Sequence, residues 1–145
     1  MTGAIVETKH GRLAIIGDEN GITSIVFTHV DLRAPDKCNP KFKQWCDEIS
    51  QLKFENVKYS TRSITAFTQN VWDAIKEIPS GQTVTYKDLA TKIGKPNAVR
   101  AVASACAKNN LALLIPCHRV IRSDGGMGDY RWGADLKRRI LESEK

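Results

Sequence analysis

Two helical patterns in the stretch TVTYKDLATKIGKPNAVRAVASACAKN meet at Gly94-Lys95-Pro96, and this break constrains the fold more than any other feature of the chain. Proline lacks the amide donor that a continuing helix needs, and glycine accepts the left-handed backbone with which helices end. A short helix, a turn containing glycine and a second helix opening near Pro96-Asn97 are the layout of a helix-turn-helix. Ala90 and Gly94, four residues apart, supply the small contact residue and the turn glycine that two closely packed helices require. Any hairpin of two helices could carry the same pattern, so the break constrains packing before it constrains function.

The second helix, Asn97 to Lys108, holds five alanines, Ser104 and Cys106, and Arg100 is its only long side chain before Lys108. Such a slim helix can approach a groove closely with one arginine projecting. Small residues equally suit close helix packing with Arg100 solvated. Upstream, Phe67, Val71, Trp72, Ile75 and Ile78 share one face of a helix that Pro79-Ser80-Gly81 stops. Residues 63–145 are therefore expected to form a mostly helical C-terminal domain. Before them, AIVET and GRLAIIGDENGITSIVFT read as short β segments around a polar hairpin turn at Asp18 to Gly21. NPKFKQWCDEISQLKF has helical spacing through Phe42, Trp45, Ile49 and Leu52, with Pro40 near its start, and NVKYS reads as another strand. Residues 1–62 are thus expected to form a small α/β domain of sheet plus helix, and the chain as a whole belongs to the α/β class.

The 145 residues are 41% hydrophobic and 26% charged, enough to bury a core. The longest apolar runs, such as LALLIP, fall far short of the roughly 18 residues of a membrane span. The N-terminus lacks a signal-peptide layout, so an intracellular location is expected, cytoplasmic or, in a eukaryote, nuclear, with no membrane partner. Net charge is +6, and its placement is one-sided. Up to Thr85 there are ten Lys+Arg against ten Asp+Glu; from Tyr86 onward there are twelve against six. A basic half suggests an anionic partner, most commonly nucleic acid, against the alternative of a solvated basic surface. The four cysteines (Cys38, Cys46, Cys106 and Cys117) form no C-x-x-C pair, which favours reduced thiols over a redox or zinc motif. Cys38 and Cys46 could combine with His10 and His29 around a metal, but their irregular spacing favours ordinary roles. No metal is expected.

The remaining feature is LLIPCHRVIRSDGGMGDYRWG, Leu113 to Gly133. Pro116 pushes Ile115 toward extended geometry, so Cys117 is expected where an apolar strand ends and the chain turns. On extended backbone, the adjacent Cys117 and His118 side chains point to opposite sides, so their cooperation requires a water relay or a sharp turn. A thiolate is the competent nucleophile, and an imidazole with Arg119 nearby would favour it.

The full string IPCHRV, followed by SDGGMGDYRWG and preceded by TVTYKDLA and VRAVASA, resembles the O6-alkylguanine-DNA alkyltransferases, also called methylated-DNA–protein-cysteine methyltransferases. The resemblance runs from about Phe67 to Glu144, and its Pro-Cys-His-Arg-Val core is highly specific. It implies that Cys117 accepts an alkyl group from O6 of guanine, that His118 deprotonates it through a bound water, and that Glu144 orients the imidazole. It implies that Asn109 ties the active-site turn and that Tyr86 steers a phosphate and protonates the leaving base. Arg100 would replace the flipped nucleotide in the base stack. Thr68, Ala98, Ala101 and Ser123 would join Arg100 and Tyr86 in contacting DNA from the minor groove. Met127, Gly128 and Tyr130, with backbone groups near Val120 and Arg131, would form the base pocket.

The implied function is repair by direct, stoichiometric transfer, with O4 of thymine as a second candidate substrate. The implied partner is double-stranded DNA containing O6-alkylguanine. No cofactor and no obligate protein partner are expected, and the chain should act as a monomer. Flipping costs about a few kcal/mol, and a side chain filling the vacated space offsets part of it. Some relatives carry tryptophan at the cysteine position and only flag damage, so Cys117 favours transfer. No second damage-sensing domain with zinc cysteines is present in these residues, so transcriptional regulation is not implied. Ala112 stands where some relatives have proline, which bears on pocket width. The alternatives are a non-catalytic sensor of alkylated DNA, a helix-turn-helix regulator and a thiol hydrolase. A regulator would leave the Cys117, His118 and Glu144 set unexplained, and a hydrolase would leave Arg100 and the charge asymmetry unexplained.

Overall fold

The computed structural model describes residues 2–29, 39–60, 64–128 and 130–145. The architecture is mixed α/β and divides into two compact units: Met1–Ser63 with Asn110–Ala112, and Ile64–Asn109 with Leu113–Lys145.

In the first unit, β1 (Thr2–Thr8), β2 (Gly11–Asp18) and β3 (Gly21–Phe27) form an antiparallel meander in that order. The β2–β3 turn is closed by Asp18 Oδ1, which accepts from the Asn20 amide at 2.8 Å. Leu13 and Ile15 alternate inward along β2 and meet Ile22 and Ile25 of β3, all fully buried. Helix α1 (Pro40–Ser50) packs on β1 and β2. The Asn39 side chain caps it by accepting from the Lys41 amide, and Phe42, Trp45, Cys46 and Ile49 are its buried residues.

Two sequence expectations need correction here. The helix stops at Ser50, so Leu52 leaves the apolar face: at φ 59° it turns the chain, and the Lys53 amide closes on Glu48 O at 2.9 Å. NVKYS is not a strand of its own. It makes one parallel bridge, Tyr59 to Ile22, through Ile22 N–H to Lys58 O and Ser60 N–H to Ile22 O, both 2.8 Å. A second bridge joins Leu111 to Ile25, with Ile25 N–H donating to Asn110 O at 2.7 Å and Ala112 N–H to Ile25 O at 2.9 Å. Two three-residue segments, Lys58–Ser60 and Asn110–Ala112, thus cover the outer edge of β3 at two points. Of the doubtful metal set, Cys46 is buried, His10 sits in the β1–β2 turn, His29 is exposed and Cys38 lies outside the described residues.

The second unit holds α2 (Ala66–Lys76), α3 (Tyr86–Lys92), α4 (Val99–Ala107) and α5 (Ala134–Glu144). A reciprocal Thr85–Asp88 capping box starts α3. Its end explains the Gly94 signal: at φ +79°, Gly94 lets its own amide reach Thr91 O and lets the Lys95 amide reach Ala90 O at 2.9 Å. That is the double closure of a Schellman turn. Helices α3 and α4 pack on each other and on α2, and buried Trp72 Nε1 donates to Ala105 O at 3.0 Å. A short parallel pair, β4 (Val84–Thr85) with β5 (Val120–Ile121), links the start of α3 to the segment after Cys117. Among the described residues, no helix is long and apolar enough to cross a membrane.

Candidate active site

The segment before Cys117 is apolar and buried, as the sequence predicts, but it is not a strand. Leu113 takes a left-handed φ of 68°, which costs a non-glycine residue about 1–2 kcal/mol. Pro116 has no N–H to give a ladder, so the backbone is satisfied locally. Asn109 Nδ2 donates to Ile115 O at 2.9 Å, and the Cys117 amide turns back to the same carbonyl at 2.8 Å. Cys117, His118 and Arg119 then form one turn of 3-10 helix. The tight turn replaces the extended backbone that would have set the two side chains on opposite sides.

His118 is buried, and its Nε2 pairs with Glu144 Oε2 at 3.1 Å. Among the described residues, its Nδ1 is buried with no hydrogen-bond partner. Burial pushes the imidazole below its ordinary pKa, against the pull of Glu144, so it rests neutral and able to accept a proton. Burial raises the Glu144 carboxyl, but hydrogen bonds from His118 and Arg119 outweigh it and hold the group down at about 2. Arg119 makes a two-pronged contact, Nε to Oε1 at 3.1 Å and Nη2 to Oε2 at 2.6 Å, and its Nη1 donates to Ile78 O at 2.8 Å. The guanidinium therefore anchors Glu144 rather than activating the thiol, which corrects the sequence expectation.

Cys117 is 4% exposed. Burial and then the neighbouring Cys106 thiol push its pKa well above the ordinary range, while Lys137 and Asn109 pull it down. Lys137 is 0% exposed, donates to Val120 O at 2.6 Å, and lies 5.7 Å from the Tyr86 ring centre and 6.0 Å from that of Tyr130. Burial, with the charges of Cys117 and Glu144 adding to it, keeps the Tyr130 phenol protonated far above the usual range. Sequence reasoning missed Lys137 and Cys106. The signal for Lys137 was present: it shares a helical face with Ile140 and Glu144, at spacings of three and seven residues.

Beside this cluster lies a cleft of about 840 Å³, lined by Tyr86, Arg100, Ser104, Arg122, Met127 and Gly128 among others. Cys117 does not line it. Gly128 is required where it stands: at φ +74°, a Cβ would come 2.8 Å from Tyr86 Oη. Arg100 projects from the first turn of α4, exposed and with no hydrogen bond or ion pair among the described residues. Ala101 and Ser123 are also exposed, and Ala98 is the half-buried N-cap of α4. Thr68 stands apart from these. It is buried in the first turn of α2, where its hydroxyl accepts from Thr65 Oγ1 at 3.1 Å. Arg131 is exposed, donates to Asn109 O at 3.2 Å and stacks over Trp132.

A helix-turn-helix set against a buried cysteine and histidine, with a half-buried glutamate behind them, defines a narrow class of protein. Residues 66–145 match the family model of the DNA-binding domain of 6-O-methylguanine DNA methyltransferase. The chain belongs to that family. The bifunctional transcriptional activator/DNA repair enzyme Ada of Escherichia coli is 39% identical over 157 residues, covering 97% of this chain and 44% of that protein. A methylated-DNA–protein-cysteine methyltransferase of Methanosarcina acetivorans is 36% identical over 154 residues, covering 99% of this chain and 98% of that one. The crystal structure of Mycobacterium tuberculosis OGT in complex with DNA superposes with a TM-score of 0.80 at 30% identity, covering 99% of this chain and 92% of the other. The chain spans less than half the length of the Escherichia coli relative and nearly all of the Methanosarcina one.

Proposed function

We propose that this chain repairs duplex DNA by moving an alkyl group from O6 of guanine to Sγ of Cys117, once per molecule. The observation that carries the reading is the chain from buried Cys117 through buried, neutral His118 to half-buried Glu144, with His118 Nδ1 left as an acceptor. In the proposed step the Cys117 proton passes to Nδ1 through a bound water, and Glu144 stabilises the imidazolium. The sulfur attacks the alkyl carbon in line, and the C–O bond breaks with its electron pair going to guanine. The leaving base takes a proton from the Tyr86 hydroxyl, which the proton held on His118 then replaces through water. The product is a thioether on Cys117. Among the described residues, no group beside the sulfur is suited to cleave it, so the acceptor is consumed.

The finer reading is that the base is flipped out through the minor groove while Arg100 fills the gap, and that O4-alkylthymine is a second substrate. Three features support the flipping part of it: the slim face of α4, the unpaired Arg100, and the cleft between Tyr86 and the Gly126–Gly128 turn. Binding would then rest on phosphate charge, with little dependence on sequence. The M. tuberculosis relative was crystallised with DNA, which is consistent with this.

The test is mass spectrometry after incubation with a duplex carrying O6-methylguanine. One methyl group should appear, on Cys117, and Cys117→Ser should lose transfer while keeping DNA binding. A methyl group on Cys38, Cys46 or Cys106 would sink the assignment. Binding with no transfer would instead make the chain a sensor of alkylated DNA.

A further inference from the structure

The proposed reaction needs negative charge on a sulfur that is nearly sealed from water, and burial alone opposes that charge. Among the described residues, Arg119, Arg131 and Lys137 are cations close to the Cys117 turn. Arg119 is bound to Glu144 and to Ile78 O. Arg131 is exposed and donates to Asn109 O. Lys137 is fully buried on the inward face of α5, with its Nζ at 2.6 Å from Val120 O and over the rings of Tyr86 and Tyr130. It is the cation whose field bears on Cys117. A surface ammonium would be screened by water, whereas one in this position acts through a medium of low dielectric. Sequestering a charge costs several kcal/mol, and a lysine kept there needs compensating contacts. The Val120 carbonyl and the two aromatic faces supply part of that compensation.

We propose that Lys137 is the electrostatic counterpart of Cys117: its buried ammonium stabilises the sulfur's charge as the proton leaves, and its contacts hold Tyr86, Tyr130 and Val120 around the reacting sulfur. It touches no reacting atom and is a positioning residue: its field acts on the sulfur, and its contacts act through these neighbours. The proposal rests on the alkyl-transfer reading for its purpose but not for its test. The same charge also disfavours an imidazolium on His118. Lys137 therefore pushes the proton off the sulfur without letting it settle permanently on the histidine. The other charged or titratable groups facing the pair are Cys106 from α4, Tyr86 from α3, Tyr130 from the loop before α5, His118 and Arg119 from the turn, and Glu144 from α5.

Two variants separate charge from scaffolding. Lys137→Gln keeps a donor for Val120 O without charge, and Lys137→Met keeps neither. The Cys117 thiolate is followed by ultraviolet absorbance against pH, as the difference from Cys117→Ser, and His118 by NMR of its imidazole. Both variants should move the thiol and the imidazole titrations to higher pH. Transfer to Cys117 should fall about tenfold or more near neutral pH and recover as pH rises. A Lys137→Gln protein that titrates as wild type, or that loses transfer by the same factor at every pH, would reduce Lys137 to a structural tie and overturn the proposal. Should Lys137→Met fail to fold, Lys137→Gln still decides. If the wild type transfers no alkyl group, the functional reading fails while the two titrations still answer for Lys137.

Discussion

The sheet unit and the helical unit are held together by different means. In the first, the main connections pair backbone with backbone, in two antiparallel ladders and two isolated bridges, over a core of alternating aliphatic side chains covered by α1. In the second, side chains clamp backbone at the points that matter. Trp72 holds Ala105 O, Asn109 holds Ile115 O, Arg119 holds Ile78 O and Lys137 holds Val120 O. A ladder tolerates the loss of one side chain's polar atom, because its bonds do not depend on side-chain identity. A clamp does not: where the carbonyl has no second donor, removing the side chain leaves a buried acceptor unsatisfied at about 1–3 kcal/mol. The proposed chemistry falls in the clamped unit, because the thiol it uses must be held among groups that no regular element would bring together.

The sharpest contrast comes from the sheet core. Leu13→Ala should cost about 2–5 kcal/mol in urea unfolding, yet leave the alkyl-transfer rate per folded molecule unchanged. A slower rate in the folded variant would break the division of labour between the units.

Next in size is Glu144→Gln. It should slow transfer by about a hundredfold, within the usual range for a group that supports proton transfer. It should also flatten the acid limb of stability. Glu144 is held down at about 2, against an ordinary 4.5, so its stabilising contribution is complete above about pH 5 and is lost as pH falls toward 2. Thermal unfolding across that window should show the wild type losing an increment that the variant never had.

Two glycines sharpen the comparison on a smaller scale. Both Gly94 and Gly128 have positive φ, but an added Cβ finds open space at Gly94 and the Tyr86 ring at Gly128. Gly128→Ala should cost about 1–3 kcal/mol and reduce transfer, whereas Gly94→Ala should cost about 1 kcal/mol and leave transfer alone. Equal effects on transfer would mean that the Gly128 turn does not shape the cleft. Smallest in binding energy is Arg100→Ala, which should lower the salt slope of DNA binding by about one unit if Arg100 is only a phosphate contact. If instead it fills the base stack, repair of duplex should slow far more than repair of free O6-alkylguanine.

The same division governs what the sequence reveals. Alternation at Leu13 and Ile15, and helical spacing at Phe42, Trp45 and Ile49, are periodic signals that burial imposes directly. The turn at Gly94 is equally legible, because only a few residues accept its backbone. The passage from Asn109 to Cys117 is not, since its shape follows from one asparagine side chain and an unusual leucine conformation rather than from a repeat. Arg119 looked like a partner for the thiol because it is close in sequence, yet its guanidinium is claimed by Glu144, 25 residues away. Lys137 was hidden by composition: three consecutive basic residues, Lys137 to Arg139, look solvated until the helical face is drawn, and only the first of them points inward.

The outer edge of β3 also bears on how the protein emerges from the ribosome. Ile25 pairs its amide and carbonyl with Asn110 and Ala112, and about 50 residues separate Ser60 from Asn110. At about 5–20 residues per second of synthesis, that stretch takes several seconds. Throughout this interval the nascent meander carries an open edge, with the donor and acceptor of Ile25 free to meet a strand from another chain. A product cut short before Asn110 would keep that edge permanently, so premature termination should yield sticky fragments rather than a small stable domain.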